Sequence, residues 1–73
     1  MGTADRIERE RAEKRSRILD AARDLFVERG VEAVTLREIA ERIEYSTTAI
    51  YVQFKDKAAL VEEMVRADFA AFA

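Results

Sequence analysis

Residues 35–54, TLREIAERIEYSTTAIYVQF, contain two short helical patterns separated by a very short connection. Thr35 stands three residues before Glu38, a capping box in which each side chain can satisfy the other's free backbone N–H. Ser46 is a good cap for a second helix. These signals predict one helix over residues 36–43 and another over 47–54, which is the helix-turn-helix arrangement.

The spacing of small and branched residues fits a steep crossing of these two helices. Ala40 is small enough to let the backbones approach, and Ile50, ten residues later, can fill the angle between them. Each cap also has the two apolar residues of a hydrophobic staple around it. These are Val34 and Ile39 for the first helix, and Tyr45 and Ile50 for the second. The pair can therefore pack without a ligand.

Two further helices flank this motif. An apolar stripe at helical spacing predicts a first helix over residues 15–29, and Gly30 follows it where a left-handed residue commonly ends a helix. The stripe comprises Ile18, Leu19, Ala22, Leu25 and Phe26. A fourth helix begins after Asp56 and carries Leu60, Val61, Met64, Val65, Phe69 and Phe72. The expected fold is all-α: a three-helix, homeodomain-like helix-turn-helix domain plus the start of a fourth helix.

The two ends of the chain differ from this centre. Residues 1–14 are a charged extension, which is expected to be either a solvated helical extension or a disordered arm. As an arm it could follow a phosphate backbone, together with the first residues after it, through Arg6, Arg9, Arg11, Lys14, Arg15 and Arg17. Residues 15–57 form the predicted domain. Residues 58–73 lack a helix stop signal, so we expect them to lead toward a missing domain of a longer protein.

Composition narrows the classes of function. The 73 residues include neither Cys nor His, which removes the commonest general base, nucleophilic thiol and zinc ligands. We therefore expect no enzyme, no catalytic residue, no metal and no cofactor. Apolar runs stay far below the roughly 18 to 20 residues of a membrane span, so a cytoplasmic protein that contacts no membrane is expected.

The outer face of the second short helix is unusual for a surface helix. Thr48, Tyr51 and Val52 are predicted to point away from the core, flanked by Thr47 and Gln53, and no charged residue lies between Ser46 and Phe54. Gln can pair with adenine, and Thr or Val methyl groups with thymine, so this face suits a DNA major groove. The alternative is a helical protein–protein interaction module that buries this face in a partner.

Cations surround this helix. Lys55 and Lys57 follow it, and Arg37 lies in the first turn of the helix before it. Lys57 could hold a phosphate, and Arg37 could reach a phosphate or a base edge. Their convergence around one uncharged helix favours DNA over a protein partner.

Residues 18–60 resemble the amino-terminal DNA-binding domain of the TetR family, the tetracycline-repressor-like bacterial regulators. The resemblance rests on the Ala-Ala-x-x-Leu-Phe of residues 21–26, on Gly30, on TLREIA at residues 35–40 and on IYxxFxDKxxL at residues 50–60. It implies a homodimeric repressor bound to a palindromic operator, and a carboxy-terminal domain that binds a small-molecule effector and mediates dimerisation.

The resemblance also implies roles for individual residues. Thr35, Tyr51 and Lys57 would contact phosphates, whereas Arg37, Thr47, Thr48, Val52 and Gln53 would face the groove. The complete expected set of DNA-binding residues is Thr35, Arg37, Ser46, Thr47, Thr48, Tyr51, Val52, Gln53, Lys55 and Lys57.

Two departures from the family pattern carry expectations of their own. Glu44 stands where the family usually has a left-handed Gly, so a strained or reshaped turn is expected. Val52 and Gln53 stand where the family often has His or Tyr, which should alter base preference or remove one phosphate contact.

Overall fold

The computed structural model describes the backbone of residues 2–72 and the side chains of residues 2–69. Every regular element in this part of the chain is helical, which confirms the all-α fold. The elements are α1 (Thr3–Arg29), α2 (Leu36–Arg42), α3 (Thr47–Gln53) and α4 (Lys57–Phe72).

The predicted caps are present at the start of three helices. Oxygen atoms of Thr35, Ser46 and Asp56 each accept a hydrogen bond from the backbone N–H three residues later, at 3.2, 3.1 and 2.8 Å. Each bond satisfies one of the N–H groups that a helix leaves without an internal partner. The starts of α2, α3 and α4 are therefore fixed by local sequence.

The reciprocal half of the capping box was predicted wrongly. The Glu38 carboxylate does not return to the Thr35 backbone but accepts a hydrogen bond from the Arg29 guanidinium at the end of α1. A carboxylate–guanidinium pair is charge-assisted and stronger than a bond to a neutral amide. Glu38 therefore ties α2 to α1.

The connections from α1 to α2 and from α2 to α3 each contain a residue with positive φ. Gly30 ends α1 with φ 85°, as expected, and Glu44 adopts φ 60° in the connection between α2 and α3. Helices α2 and α3 each end one residue earlier than predicted, because the last predicted residue is the carboxy-terminal cap. This cap is Ile43 for α2 and Phe54 for α3. The turn expected to be strained at Glu44 is thus left-handed without a glycine.

The core lies where the four helices meet. Helix α1 packs against α2 and α4, and α2 packs against α3. Fully buried side chains come from each helix and from the connection before α2: Ile18, Val34, Ile39, Ile50 and Leu60. Ala40 is also buried, which agrees with a close approach of α2 and α3. The predicted stripe of α1 lies in this core, with Phe26 partly buried at its edge.

Helix α1 is longer than predicted. It begins at Thr3 rather than near Arg15, so the helical extension is the correct alternative for the described part of residues 1–14. Residues 3–14 are exposed, and they contain neither Gly nor Pro to interrupt a helix.

Only part of the apolar pattern of α4 is buried. Leu60 and Met64 reach the core, whereas Val65 and Phe69 are exposed. The expected contributions of the Phe72 side chain and of Ala73 lie outside the described residues. No helix within residues 2–72 is both long enough and apolar enough to cross a membrane.

Candidate nucleic-acid interface

Helix α3 has one buried side and one exposed side. Ile50 is fully buried and Phe54, its cap, is 2% exposed, so this side is anchored in the core. On the opposite side Tyr51 is 54% and Val52 75% exposed, and Thr48 is exposed beside them. The structure therefore places the predicted contact face of α3 in solvent.

A surface recess lies where α3 meets the starts of α2 and α4. Its volume is about 330 Å³. The residues that line it are Val34, Thr35, Leu36, Arg37, Thr47, Tyr51, Asp56 and Lys57. The recess thus brings together five of the ten predicted contact residues, including all three that the family resemblance assigns to phosphates.

Lys57 contacts the backbone around this recess. Its Nζ donates to the carbonyl oxygens of Val31 at 2.9 Å, Val34 at 3.1 Å and Glu32 at 3.5 Å. An ammonium group has three N–H donors, so these three acceptors use all of them. Lys57 therefore holds the connection between α1 and α2 in place, a role that its sequence context did not indicate.

Arg37 remains accessible. Its side chain is 80% exposed, and its Nε pairs with Glu41 Oε1 at 3.3 Å, one turn further along α2. Exposed pairs of this kind contribute only about 0.3 to 0.5 kcal/mol. Breaking the pair to contact a nucleic acid therefore costs little.

The remaining predicted residues lie around α3. Ser46 is exposed but its hydroxyl caps α3, Thr47 and Gln53 are half-buried at the two ends of the helix, and Lys55 is exposed after it. The ten predicted residues consequently lie at the start of α2, on α3 with its cap Ser46, or between the end of α3 and the first residue of α4.

The structure gives Arg15 a different role from the one that the sequence predicted. Arg15 was expected among the cations of an arm, but its guanidinium points inward to the end of α3. It donates to the Gln53 carbonyl oxygen at 3.3 Å and lies 4.6 Å from the centre of the Phe54 ring. Because these partners are about 38 positions away along the chain, no local pattern could have indicated them.

Comparison with known proteins identifies a family for most of this chain. Residues 18–64 match the family described as "Bacterial regulatory proteins, tetR family". The match begins at Ile18 in α1 and ends at Met64 in α4, so it includes α2, α3 and the recess between them. No solved structure matches the chain significantly.

Several curated proteins are similar to this chain. An uncharacterized HTH-type transcriptional regulator, YvkB of Bacillus subtilis, is 47% identical over 49 residues, which are 67% of this chain and 26% of that protein. The HTH-type transcriptional repressor KstR2 of Rhodococcus jostii is 38% identical over 53 residues, 73% of this chain and 26% of the relative. The HTH-type transcriptional regulator AcrR of Shigella flexneri is 41% identical over 61 residues, 84% and 28% respectively.

The chain spans little more than a quarter of the length of these relatives. The matched part is nonetheless the part that contains the helix-turn-helix motif and the exposed face of α3. The chain belongs to the tetR family of bacterial regulatory proteins, and it carries the family's helix-turn-helix domain, whose function is DNA binding in the regulation of transcription.

Proposed function

We propose that the chain binds a specific double-stranded DNA sequence by inserting α3 into the major groove. The observation that carries this proposal is the outer face of α3, which is exposed and uncharged and consists of Thr48, Tyr51 and Val52. It lies next to a recess that holds cationic and hydroxyl side chains. A helix fits the width of the major groove, and the absence of carboxylates on this face avoids repulsion of phosphates.

The side chains divide into two roles. Thr47, Thr48, Val52 and Gln53 contact base edges, together with Arg37 from α2. Their amide, hydroxyl and methyl groups match the donors, acceptors and thymine methyl groups of the major groove.

The second role is to fix the domain on the DNA backbone. Thr35 and Tyr51 supply hydroxyl groups for a phosphate at the recess, and Lys57 contributes its positive charge. Ser46 and Lys55, which are exposed at the two ends of α3, would contact the DNA backbone there. Because the Lys57 ammonium also donates to three carbonyls, its phosphate contact is electrostatic, while its hydrogen bonds maintain the wall of the recess.

The whole protein would act as a homodimeric repressor in the cytoplasm. Two copies of this domain would bind a palindromic operator, with half-sites about 34 to 36 Å apart or a multiple of that distance. A carboxy-terminal domain would hold the copies together and bind the small-molecule effector. The name of the similar Rhodococcus jostii protein, a transcriptional repressor, supports repression.

The proposal is tested by comparing Tyr51→Phe with wild type on several DNA sequences over a range of salt concentrations. Wild-type affinity should fall linearly with salt on logarithmic axes, because phosphate contacts release counterions. Loss of the Tyr51 hydroxyl should weaken binding to every sequence equally, by about 0.5 to 1.5 kcal/mol. Gln53→Ala is the matched base-contact control, since it should alter the preference among sequences.

Two outcomes would contradict the proposal or its division of roles. If wild type shows no salt-dependent affinity for any duplex while its fold is intact, DNA binding by α3 is contradicted, and the alternative of a protein-binding surface is the hypothesis to test next. If Tyr51→Phe changes the preference among sequences instead, Tyr51 contacts a base and the division of roles is wrong.

A further inference from the structure

Arg15 joins three helices at the carboxy-terminal end of α3. From α1, its Nη1 donates to the Gln53 carbonyl oxygen of α3 at 3.3 Å. Its Nη2 lies 3.3 Å from Glu63 Oε1 of α4. The guanidinium carbon also stacks over the Phe54 ring at 4.6 Å. A planar guanidinium can make all three contacts at once, which a lysine ammonium cannot.

The Gln53 carbonyl belongs to the last residue of α3, where a helix leaves carbonyl groups without internal partners. A cation at this end also interacts favourably with the helix dipole. Helix α3 has only seven residues, so its last turn is a large part of the whole. The Arg15 contact therefore limits fraying at the end that carries the Gln53 side chain.

The charge of Arg15 is already paired. Its side chain is 37% exposed, and Glu63 neutralises the guanidinium from α4. A direct phosphate contact would require Arg15 to leave this pair and the Phe54 ring. The geometry favours an action within the protein over contact with the DNA backbone.

We propose that Arg15 is a positioning residue for base recognition. By fixing the end of α3 between α1 and α4, it sets the direction in which the Gln53 side chain leaves the helix. This inference rests on the proposed function for its effect on DNA, but the effect on α3 itself exists in the free protein and can be measured without DNA.

The test measures two quantities on the 73-residue chain. The first is amide hydrogen exchange in free protein, compared between the end of α3 and Ala22 in the core of α1. The second is the affinity ratio between the preferred duplex and a duplex altered at the base pair that depends on Gln53. The variants are Arg15→Ala, Arg15→Lys, Glu63→Gln, and Arg66→Ala as the control, an exposed cation of α4 that pairs, among the described residues, only with Glu62 one turn earlier.

Arg15→Ala should speed exchange at the end of α3 while leaving Ala22 protected, and it should reduce discrimination at that base pair about tenfold. Arg15→Lys keeps the charge but should lose most of the discrimination, because it lacks the planar fork. Glu63→Gln should give a smaller change in the same direction, and it serves as the second test if Arg15→Ala unfolds the domain. Arg66→Ala should leave the discrimination unchanged.

Two results would overturn the inference. One is unchanged exchange at the end of α3 with unchanged discrimination in Arg15→Ala. The other is equal weakening on all sequences that Arg15→Lys restores, which would make Arg15 a phosphate contact. If wild type prefers no sequence, the proposed function fails by itself, and altered exchange would still show that Arg15 positions α3.

Discussion

Helices α2 and α3 are similar in build but opposite in surface chemistry. Each has seven residues, a hydroxyl side chain as its amino-terminal cap and a fully buried isoleucine. The exposed face of α2 carries ions that pair with one another or with α1, as Arg37 does with Glu41 and Arg42 with Glu28. The exposed face of α3 carries no charge at all.

This difference separates what folding requires from what function requires. Both helices need a cap and an inner isoleucine, and both have them. Folding gives no reason to leave Val52 75% exposed or to omit charged side chains from α3, since α2 shows that charges fit such a helix. The outer face of α3 is thus explained by its proposed contact with DNA.

The largest effect should come from the shared inner positions. Ile39→Ala and Ile50→Ala each remove a fully buried side chain, so each should lower the free energy of unfolding by about 2 to 5 kcal/mol. In a domain of this size either change can unfold the chain. Chemical denaturation measures both, with Val52→Ala as the exposed control. A small loss for Ile50 alone would show that α3 is less firmly anchored than α2.

The second largest effect should come from placing a charge on the outer face of α3. Val52→Glu should reduce affinity for the preferred DNA at least about 100-fold, through repulsion of phosphates and loss of groove contacts, while stability changes by less than about 0.5 kcal/mol. Ala67→Glu adds the same charge at an exposed position of α4 and is the control. Equal losses for the two variants would point to net charge instead of a local contact. Fluorescence anisotropy with a labelled duplex gives both affinities.

Removal of one base contact should have a smaller effect. Gln53→Ala should cost about 1 to 3 kcal/mol on the preferred sequence and relax the preference at one or two base pairs. Competition among duplexes that differ at single positions measures this change. Equal weakening on all sequences would show that Gln53 anchors the backbone instead.

The smallest effect should come from the turn that joins the two helices. Glu44 has φ 60°, which costs a residue with a side chain about 1 to 2 kcal/mol, so Glu44→Gly should stabilise the domain by up to about 1 kcal/mol. Calorimetry should show a rise in Tm of roughly 4 to 8 °C per kcal/mol. Glu32→Gly, at a turn residue outside the positive-φ region, should lower Tm.

The sequence predicts the centre of this fold well because its signals are local. Caps at Thr35 and Ser46 and the burial of Ala40 and Ile50 follow from neighbours on the same or the next helix. The start of α1 was missed because residues 3–14 carry neither a side-chain cap nor an apolar stripe. In residues 3–14 the helix is therefore favoured only by the intrinsic helix propensity of the residues.

The contacts that could not be predicted join distant parts of the chain. Lys57 donates to carbonyl groups at least 23 positions away, and Arg15 to one 38 positions away. Neither pairing leaves a periodic pattern, because a backbone carbonyl is present at every residue whatever its side chain. The exposed face of α3 was predicted from its helical spacing, whereas the contacts that hold α3 in place required the structure.

Selection from a pool of random duplexes tests the role of α3 most directly. The chain is incubated with the pool at low salt, alone and with a dimerising tag, and the bound DNA is sequenced. We expect enrichment of one short motif, which the tag doubles into a palindrome, and loss of that motif with Val52→Glu. A folded, tagged chain that enriches no sequence, at a salt concentration where backbone contacts persist, would contradict DNA recognition by α3.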